Sequence, residues 1–374
     1  MTSSPRNAHS PCPLAVELPA APARVIPERA PSSPRLPMDW RWTDSLGVAL
    51  MGRGLPAATA AWARAAERGG LGSVWIIEDY FHPGAYALAG AAAGATERVA
   101  VGLGVVNPYT RHPALVAMET AALAAMAPGR VVLGLGSSNR RWIDAQMAIP
   151  FKTPLRGLRE GTEIARRLLA GERVTVAGEC FSAHDVALDS PAPSPVPILL
   201  GVKGPRALAL AAEIADGVLG SVLTSPAHVR RVRAATAGAR PPHGRFAVAA
   251  YLPMAVGDDG AAARGRVRSL LARYLGVLHG QSILLDAGVE PARSQPFRDA
   301  LAARRSAADL VGDDLIDVLA VAGTPAQCHA ALARLADAGL DTPIAILPPG
   351  PPGEDQIAEI ARALAPAWRE ITGR

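Results

Sequence analysis

Residues 129–136 read GRVVLGLG, and this short apolar run between glycines decides the fold class. An alanine-rich segment that begins at Pro113 precedes it, and a polar segment, Ser137 to Arg141, follows it. Proline is favoured in the first turn of a helix and glycine just beyond its end. The order of proline, helix, glycine, strand and polar loop therefore indicates one unit of a parallel β/α protein.

The same unit recurs along the chain. Proline also opens helical segments at Pro154, Pro205 and Pro325. Eight strands are predicted, near Leu46 to Leu50, Ser73 to Ile77, Val99 to Val106, Arg130 to Leu135, Pro197 to Val202, Gly217 to Val222, Phe246 to Val256 and Pro343 to Leu347. The predicted fold class is α/β, a (β/α)8 TIM barrel, since this length suits eight such units; a doubly wound open sheet is the rival.

Two segments interrupt the repeat. A hairpin is predicted from Val174 to Leu188, before strand five, and a helical insertion from Asp258 to Asp317, before strand eight. Insertions at the carboxyl ends of barrel strands commonly cover active sites. We expect these two segments to form the walls or the lid of the pocket.

The chain divides into a leader and a barrel. Residues 1–37 are rich in proline, serine and alanine and lack the apolar core of a secretory signal, so this leader is predicted to be disordered. Met38 stands directly before the first patterned segment, and one hypothesis is that translation begins there. The barrel is predicted over residues 38–374.

Composition excludes several classes of protein. Of 374 residues 49% are hydrophobic, enough for a large core, and charged residues interrupt every long apolar run, so we expect no membrane span. The net charge is +5, but aromatic residues are only 4%, so nucleic-acid binding is not expected. The 3 cysteines are scattered, which favours the cytoplasm, and Cys180 and His184 lack a second ligand pair for a metal.

Two polar loops follow predicted strands two and three, where a barrel carries its active site. Glu78 and Asp79 end strand two, and either acid could donate a proton; the alternative is that both cap the next helix in water. The segment Asn107 to Pro113 ends strand three and carries Arg111 and His112 between two prolines. This rigidity predicts a preorganised binding loop, and a solvated surface turn is the alternative.

Two further loops are typical of anion sites. After strand four, Gly136 permits close backbone approach, and the side chains of Ser137, Ser138 and Asn139 can hold a phosphate. Asn139 stands where the dinucleotide fingerprint has glycine or alanine, so that motif is absent. After strand five, Lys203 and Gly204 precede a helix, whose N-terminus attracts anions.

With these residues, the chain resembles the luciferase-like oxidoreductases, and within them the methylenetetrahydromethanopterin reductase branch that uses coenzyme F420. The similarity runs from Leu46 to about Pro348. Four segments carry it: SVWIIED at 73–79, NPYTRHP at 107–113, GRVVLGLG at 129–136 and AAEIADG at 211–217.

The resemblance implies a deazaflavin or flavin ring at the barrel mouth, against a bulge in strand three that contains a non-proline cis peptide. Gly104 and Val105 are the matching pair. The resemblance also implies that Asn107 belongs to the cofactor site. It implies that the cofactor phosphate is held by the loop of Ser137, Ser138 and Asn139, near Lys203 and Gly204. Arg111 and His112 would contact the ring or the substrate. Many relatives have Asp-His where this chain has Glu78 and Asp79, and the family implies a homodimer.

The sequence thus predicts an F420-dependent oxidoreductase that transfers a hydride between the reduced deazaflavin and a small, electron-poor organic substrate. Glu78 or Asp79 is the expected proton donor, with His112 as the second choice. One alternative is an FMN-dependent luciferase-like monooxygenase, since one barrel supports both chemistries. The other is a dimer that binds a flavin-type ligand without catalysis.

Overall fold

Eight parallel strands form a closed barrel in a computed structural model that describes residues 40–51, 56–350 and 353–373. They are β1 (Gly47–Met51), β2 (Ser73–Ile77), β3 (Ala100–Val106), β4 (Val131–Leu135), β7 (Ile198–Leu200), β8 (Gly217–Gly220), β9 (Ala247–Val256) and β11 (Thr342–Ile346). Each pairs with the next, and β11 returns to β1. All eight predicted strands are present, whereas the predicted leader lies outside the described residues.

The helices pack around this barrel. Those that follow barrel strands are α1 (Thr59–Arg68), α2 (Ala85–Ala95), α3 (Pro113–Met126), α4 (Pro154–Leu169), α5 (Pro205–Ile214), α6 (Pro226–Ala235), α11 (Pro325–Asp337) and α12 (Gly353–Thr372). The helix starts predicted at Pro113, Pro154, Pro205 and Pro325 are confirmed. Strands buried between helices and barrel interior need apolar residues on both faces, which explains their continuous apolar runs.

Two insertions depart from the repeat. The first consists of β5 (Val174–Ala177) and β6 (Ser182–Val186), which pair antiparallel between α4 and β7. The second, between β9 and α11, consists of α7 (Gly260–Val277), α8 (Ser282–Asp286), α9 (Pro291–Ala302), α10 (Asp313–Leu319) and β10 (Val321–Gly323). The short strand β10, which the sequence did not predict, pairs with the end of β9.

Aromatic side chains fill the barrel near the amino ends of its strands. The Trp75 ring lies inside the barrel, and a Cβ at Gly102 would lie 2.4 Å from it, so the neighbouring strand needs glycine there. Trp42, which precedes β1, packs edge-on against Trp75 with ring centroids 5.9 Å apart. The opposite end, where the strands finish, is therefore the end that offers room for a ligand.

Within the described ranges, no helix has both the length and the apolar character that a bilayer crossing requires.

Candidate active site

The predicted site residues lie on four loops at one side of the barrel mouth. These loops follow β2, β3, β4 and β7, which are successive neighbours in the sheet. Glu78, Asn107 and Gly136 each directly follow the last residue of their strand, and Lys203 comes three residues after β7. Because parallel strands end at the same edge, these loops share one rim.

The third strand carries the predicted bulge. The pairing of β3 with β4 shifts between Leu103 and Val106, and the Gly104–Val105 peptide is cis, as the family resemblance implied. The Tyr251 hydroxyl, buried in the barrel, donates a hydrogen bond of 2.7 Å to the carbonyl oxygen of Gly104. Tyr251 thus fixes the bulge from inside the barrel.

Glycines on neighbouring strands make room for this bulge. A Cβ at Gly136 would lie 2.6 Å from the Val105 side chain, and a Cβ at Gly201 would lie 2.7 Å from it. A Cβ at Gly134 would lie 2.4 Å from the carbonyl oxygen of Leu103. These three glycines form a cradle for the bulge, and one of them, Gly136, also belongs to the predicted phosphate loop.

Glu78 belongs to an ion-pair cluster at this rim. Arg111 lies 3.3 Å from the Glu78 carboxylate and 3.0 Å from that of Glu119. Its guanidinium also lies over the Tyr86 ring, 5.1 Å from the centroid. Glu78 is consequently held by a cation. The alternative that the acids cap the next helix is wrong, because Gly84 precedes α2 and no side chain caps that helix.

His112 joins α3 to the hairpin. Its Nδ1 accepts a hydrogen bond of 3.2 Å from the backbone nitrogen of Ala114. Nε2 therefore carries the proton and donates to the carbonyl oxygen of Ser182, 3.1 Å away on β6. Both ring nitrogens are thus engaged by backbone groups.

Tyr80, to which the sequence analysis gave no role, occupies the space between three loops. Its ring packs edge-on against Trp142, with centroids 5.2 Å apart. Burial and, to a smaller extent, the nearby Glu78 charge raise the pKa of Tyr80, whereas Ser138, Thr110 and Asn107, which its hydroxyl faces, oppose that rise. The sequence signal that could have identified Tyr80 was its position directly after Glu78 and Asp79.

Two buried polar groups near Tyr80 lack a hydrogen bond of normal geometry. Asn107 is only 1% exposed; its Oδ1 accepts from the backbone nitrogen of Tyr109 at 2.6 Å, but its Nδ2 has no such partner among the described residues. The same holds for the Oγ of Ser138, which has a left-handed φ of 62°. Buried donors without partners are costly, so a ligand that accepts from them is favoured.

The fourth loop supplies a half-buried cation, Lys203. Burial lowers the pKa of Lys203, and no carboxylate within the described ranges lies within salt-bridge distance of its ammonium group. Gly204 is the N-cap of α5, with no side-chain cap. Ser137 is half-buried, whereas Asn139 is exposed and its Oδ1 accepts from the backbone nitrogen of Trp142. The arrangement leaves Lys203 available to an anion.

Comparison with known proteins agrees with this geometry. Residues 45–342 match the family model described as luciferase-like monooxygenase. A 5,10-methylenetetrahydromethanopterin reductase of Methanolobus tindarius is 31% identical over 312 residues, which cover 82% of this chain and 94% of the relative. An F420-dependent glucose-6-phosphate dehydrogenase of Beutenbergia cavernae is 36% identical over 176 residues, 44% of this chain and 52% of that protein.

Among solved structures, the coenzyme F420-dependent tetrahydromethanopterin reductase of Methanopyrus kandleri superposes with a TM-score of 0.77. The identity is 24%, and the match covers 87% of this chain and 99% of that one, so it supports the barrel fold. The chain belongs to the luciferase-like monooxygenase family and is an oxidoreductase of that family.

Proposed function

We propose that this protein is a coenzyme F420-dependent oxidoreductase that transfers a hydride between the deazaflavin and a small, electron-poor organic substrate. One observation carries the proposal: a half-buried lysine, with no carboxylate partner among the described residues, shares the barrel rim with the Gly104–Val105 bulge and with the buried Asn107 amide, whose Nδ2 has no partner among those residues. A planar ring that bears a phosphate matches such a rim. The relatives named for F420 favour the deazaflavin over FMN.

The roles of the residues follow from their positions. The bulge at Gly104 and Val105 would support the ring, with Asn107 donating to it, because these groups lie at the end of β3. The cofactor phosphate would be held by backbone N–H groups of the loop that contains Gly136, Ser137, Ser138 and Asn139, together with Lys203 and Gly204. Arg111 would position Glu78 at the edge of the site.

The bound coenzyme would supply or accept the hydride. The chain itself must exclude water, orient the substrate and provide a proton. Asp79 and Tyr80 stand beside Glu78 on the loop after β2, so this loop is the proposed source of the proton. We also place the protein in the cytoplasm, where the free thiols of Cys180 and Cys328 would remain reduced.

Equilibrium titration of the purified protein with F420 and FMN tests the proposal. We expect F420 to bind more tightly, and the reduced F420 to be oxidised by a substrate without oxygen. Suitable probes are methylenetetrahydromethanopterin, the oxidised product of glucose 6-phosphate, and cyclohex-2-enone. Oxygen consumption with reduced FMN would instead indicate a monooxygenase, and binding without turnover would indicate a binding protein.

Replacing Lys203 with methionine is expected to weaken F420 binding about 10- to 100-fold, because a charge-assisted hydrogen bond to phosphate contributes about 1.5–3 kcal/mol. The matched control is Lys152→Met, which changes the chain's other lysine, an exposed one. A deazaflavin without the phosphate side chain should bind equally to both variants. If Lys203→Met weakens that truncated ligand as much as F420, the phosphate assignment is wrong.

We further propose that the protein forms a homodimer through α2 and α3. The α3 residues Leu115, Met118 and Met126 are 48%, 50% and 55% exposed, and they lie on its outer side. The α2 sequence, AYALAGAAAGA, contains no charged residue, and Glu119, the charged residue of α3, is paired with Arg111. An uncharged surface of two adjacent helices suits a second copy of itself.

Leu115→Lys is expected to convert the dimer to a monomer in sedimentation velocity, because it places a charge in the apolar interface. Leu310→Lys is the matched control: Leu310 is 57% exposed but lies in a helical turn of the second insertion, so this variant should keep the wild-type mass. A Leu115→Lys protein that sediments like wild type would remove this surface from consideration.

A further inference from the structure

We propose that Tyr80 is the proton donor of the reaction, and that Asn107, Thr110 and Ser138 stabilise the phenolate that remains. This inference rests on the proposed function and names the residue of the β2 loop that acts in it. Tyr80 replaces Glu78, Asp79 and His112 as the proposed proton donor.

The position of Tyr80 supports this role. Its side chain extends from the loop after β2 to Trp142, which follows β4, so it crosses the loop after β3. Its hydroxyl faces polar groups from both loops, and the ring remains partly exposed. A ligand seated against the β3 bulge would therefore lie beside a phenol and not beside a surface side chain.

Two of the other candidates, Glu78 and His112, are engaged elsewhere. Glu78 is paired with Arg111, and backbone groups occupy both nitrogens of His112. Carboxyl groups ordinarily lose their proton near pH 4, whereas a phenol keeps its proton to about pH 10. Burial raises the pKa of Tyr80 further, so at neutral pH it carries a proton.

The weak acidity of Tyr80 also restricts which groups it can protonate. It gives up its proton only to a strong base, such as the alkoxide or carbanion that forms when a hydride reaches an electron-poor carbon of C=O or C=C. As the π electrons move to the second atom of that bond, the O–H bond of Tyr80 breaks and a bond from hydrogen to that atom forms. The phenolate, stabilised by its three polar neighbours, later takes a proton from water.

A test that needs no substrate is carbon-13 NMR of protein labelled at the ζ carbon of its 5 tyrosines. Tyr80→Phe assigns the Tyr80 signal. We expect oxidised F420 to shift this signal and to leave that of Tyr109 in place, since the Tyr109 hydroxyl donates to the backbone of Thr153. Ser138→Ala should raise the pH at which Tyr80 ionises. A Tyr80 signal that does not respond while F420 binds would overturn the proposal.

Turnover gives the second readout, with reduced F420 and cyclohex-2-enone as probes. We expect Tyr80→Phe to react about a hundredfold more slowly with F420 affinity unchanged, as for loss of a general acid. Tyr86→Phe also removes one hydroxyl, one that bonds to Val116 and Thr120 of α3, and should react at the wild-type rate. If Asp79→Asn lost turnover and Tyr80→Phe did not, the proton donor would be the carboxyl group of Asp79. Absence of F420 binding in wild type would instead reject the proposed function itself.

Discussion

Asp216→Ala is expected to lower the free energy of unfolding by about 3–5 kcal/mol, because it leaves the half-buried Arg166 guanidinium and the buried Ile198 amide without their partner. The Asp216 side chain is fully buried and precedes β8. Its carboxylate accepts 2.8 Å hydrogen bonds from Arg166 of α4 and from the backbone nitrogen of Ile198 in β7. His243, in the segment before β9, donates to it from backbone and ring. One carboxylate therefore connects a helix with three successive strands.

Urea denaturation of wild type and variant measures this effect. The matched control is Glu213→Ala, since Glu213 forms a similarly short ion pair with Arg159 but is exposed to solvent. Exposed pairs contribute little, so the control should unfold at the wild-type urea concentration. Equal losses of stability in the two variants would contradict the interpretation that Asp216 stabilises the fold through its buried contacts with a helix and three strands.

The contribution of Asp216 to the free energy of unfolding should also depend on pH. Burial alone would raise the pKa of Asp216, but His243, the Arg166 charge and the Ile198 amide together hold that pKa below its usual range. A carboxyl whose folded pKa lies below its unfolded value stabilises the protein above about pH 4 and loses this effect as the pH falls further. The difference in the free energy of unfolding between wild type and Asp216→Ala should therefore become smaller in acid. A difference that stays constant down to pH 3 would show that the charge of Asp216 is not its cause.

The barrel was predictable from the sequence because each strand must be apolar on both faces, a constraint that continuous runs such as Val131 to Leu135 satisfy visibly. Proline fixes helix starts through local geometry, so Pro113 and Pro205 could be read in isolation. The strand β10 was missed because only Ala320 separates it from α10, so no turn residue marks where the strand begins. Its pairing with β9 depends on the tertiary structure.

The site was predictable as a set of loops but not as a set of contacts. Chain order places Glu78 and His112 at strand ends, but it does not say that Arg111 pairs with Glu78 or that His112 contacts the hairpin. Tyr80 was missed because its position directly after the two acids does not say where its side chain extends. Asp216 was read only as part of a family segment, because its partners lie up to 50 residues away in the chain.

Gly104→Ala is expected to reduce both stability and F420 binding, because the new methyl group competes with Tyr251 for space. A Cβ at position 104 would lie 2.0 Å from the Tyr251 hydroxyl oxygen and 2.9 Å from the Leu219 side chain. Tyr251 must move, and its buried hydroxyl then loses the carbonyl oxygen of Gly104. Overpacking and an unsatisfied hydroxyl each cost about 1–3 kcal/mol, so the expected loss of stability is about 2–5 kcal/mol.

The matched control is Gly265→Ala, in the exposed interior of α7 with open space around the new methyl group. This variant should gain about 0.5–1 kcal/mol from helix propensity and bind F420 as wild type does. Displacement of the bulge should weaken F420 binding about a hundredfold in Gly104→Ala, beyond what its lower stability explains, when binding is measured at a temperature where the variant is folded.

Tyr251→Phe identifies the cause of both losses. It removes the oxygen atom nearest to the new methyl group, and alone it costs only the hydrogen bond to Gly104. If the clash with the hydroxyl is the cause, Gly104→Ala with Tyr251→Phe should be more stable than the sum of the single changes predicts, and part of the F420 affinity should return. Strict additivity of the two changes would mean that the methyl group acts through Leu219 or Trp75, the other side chains within its reach.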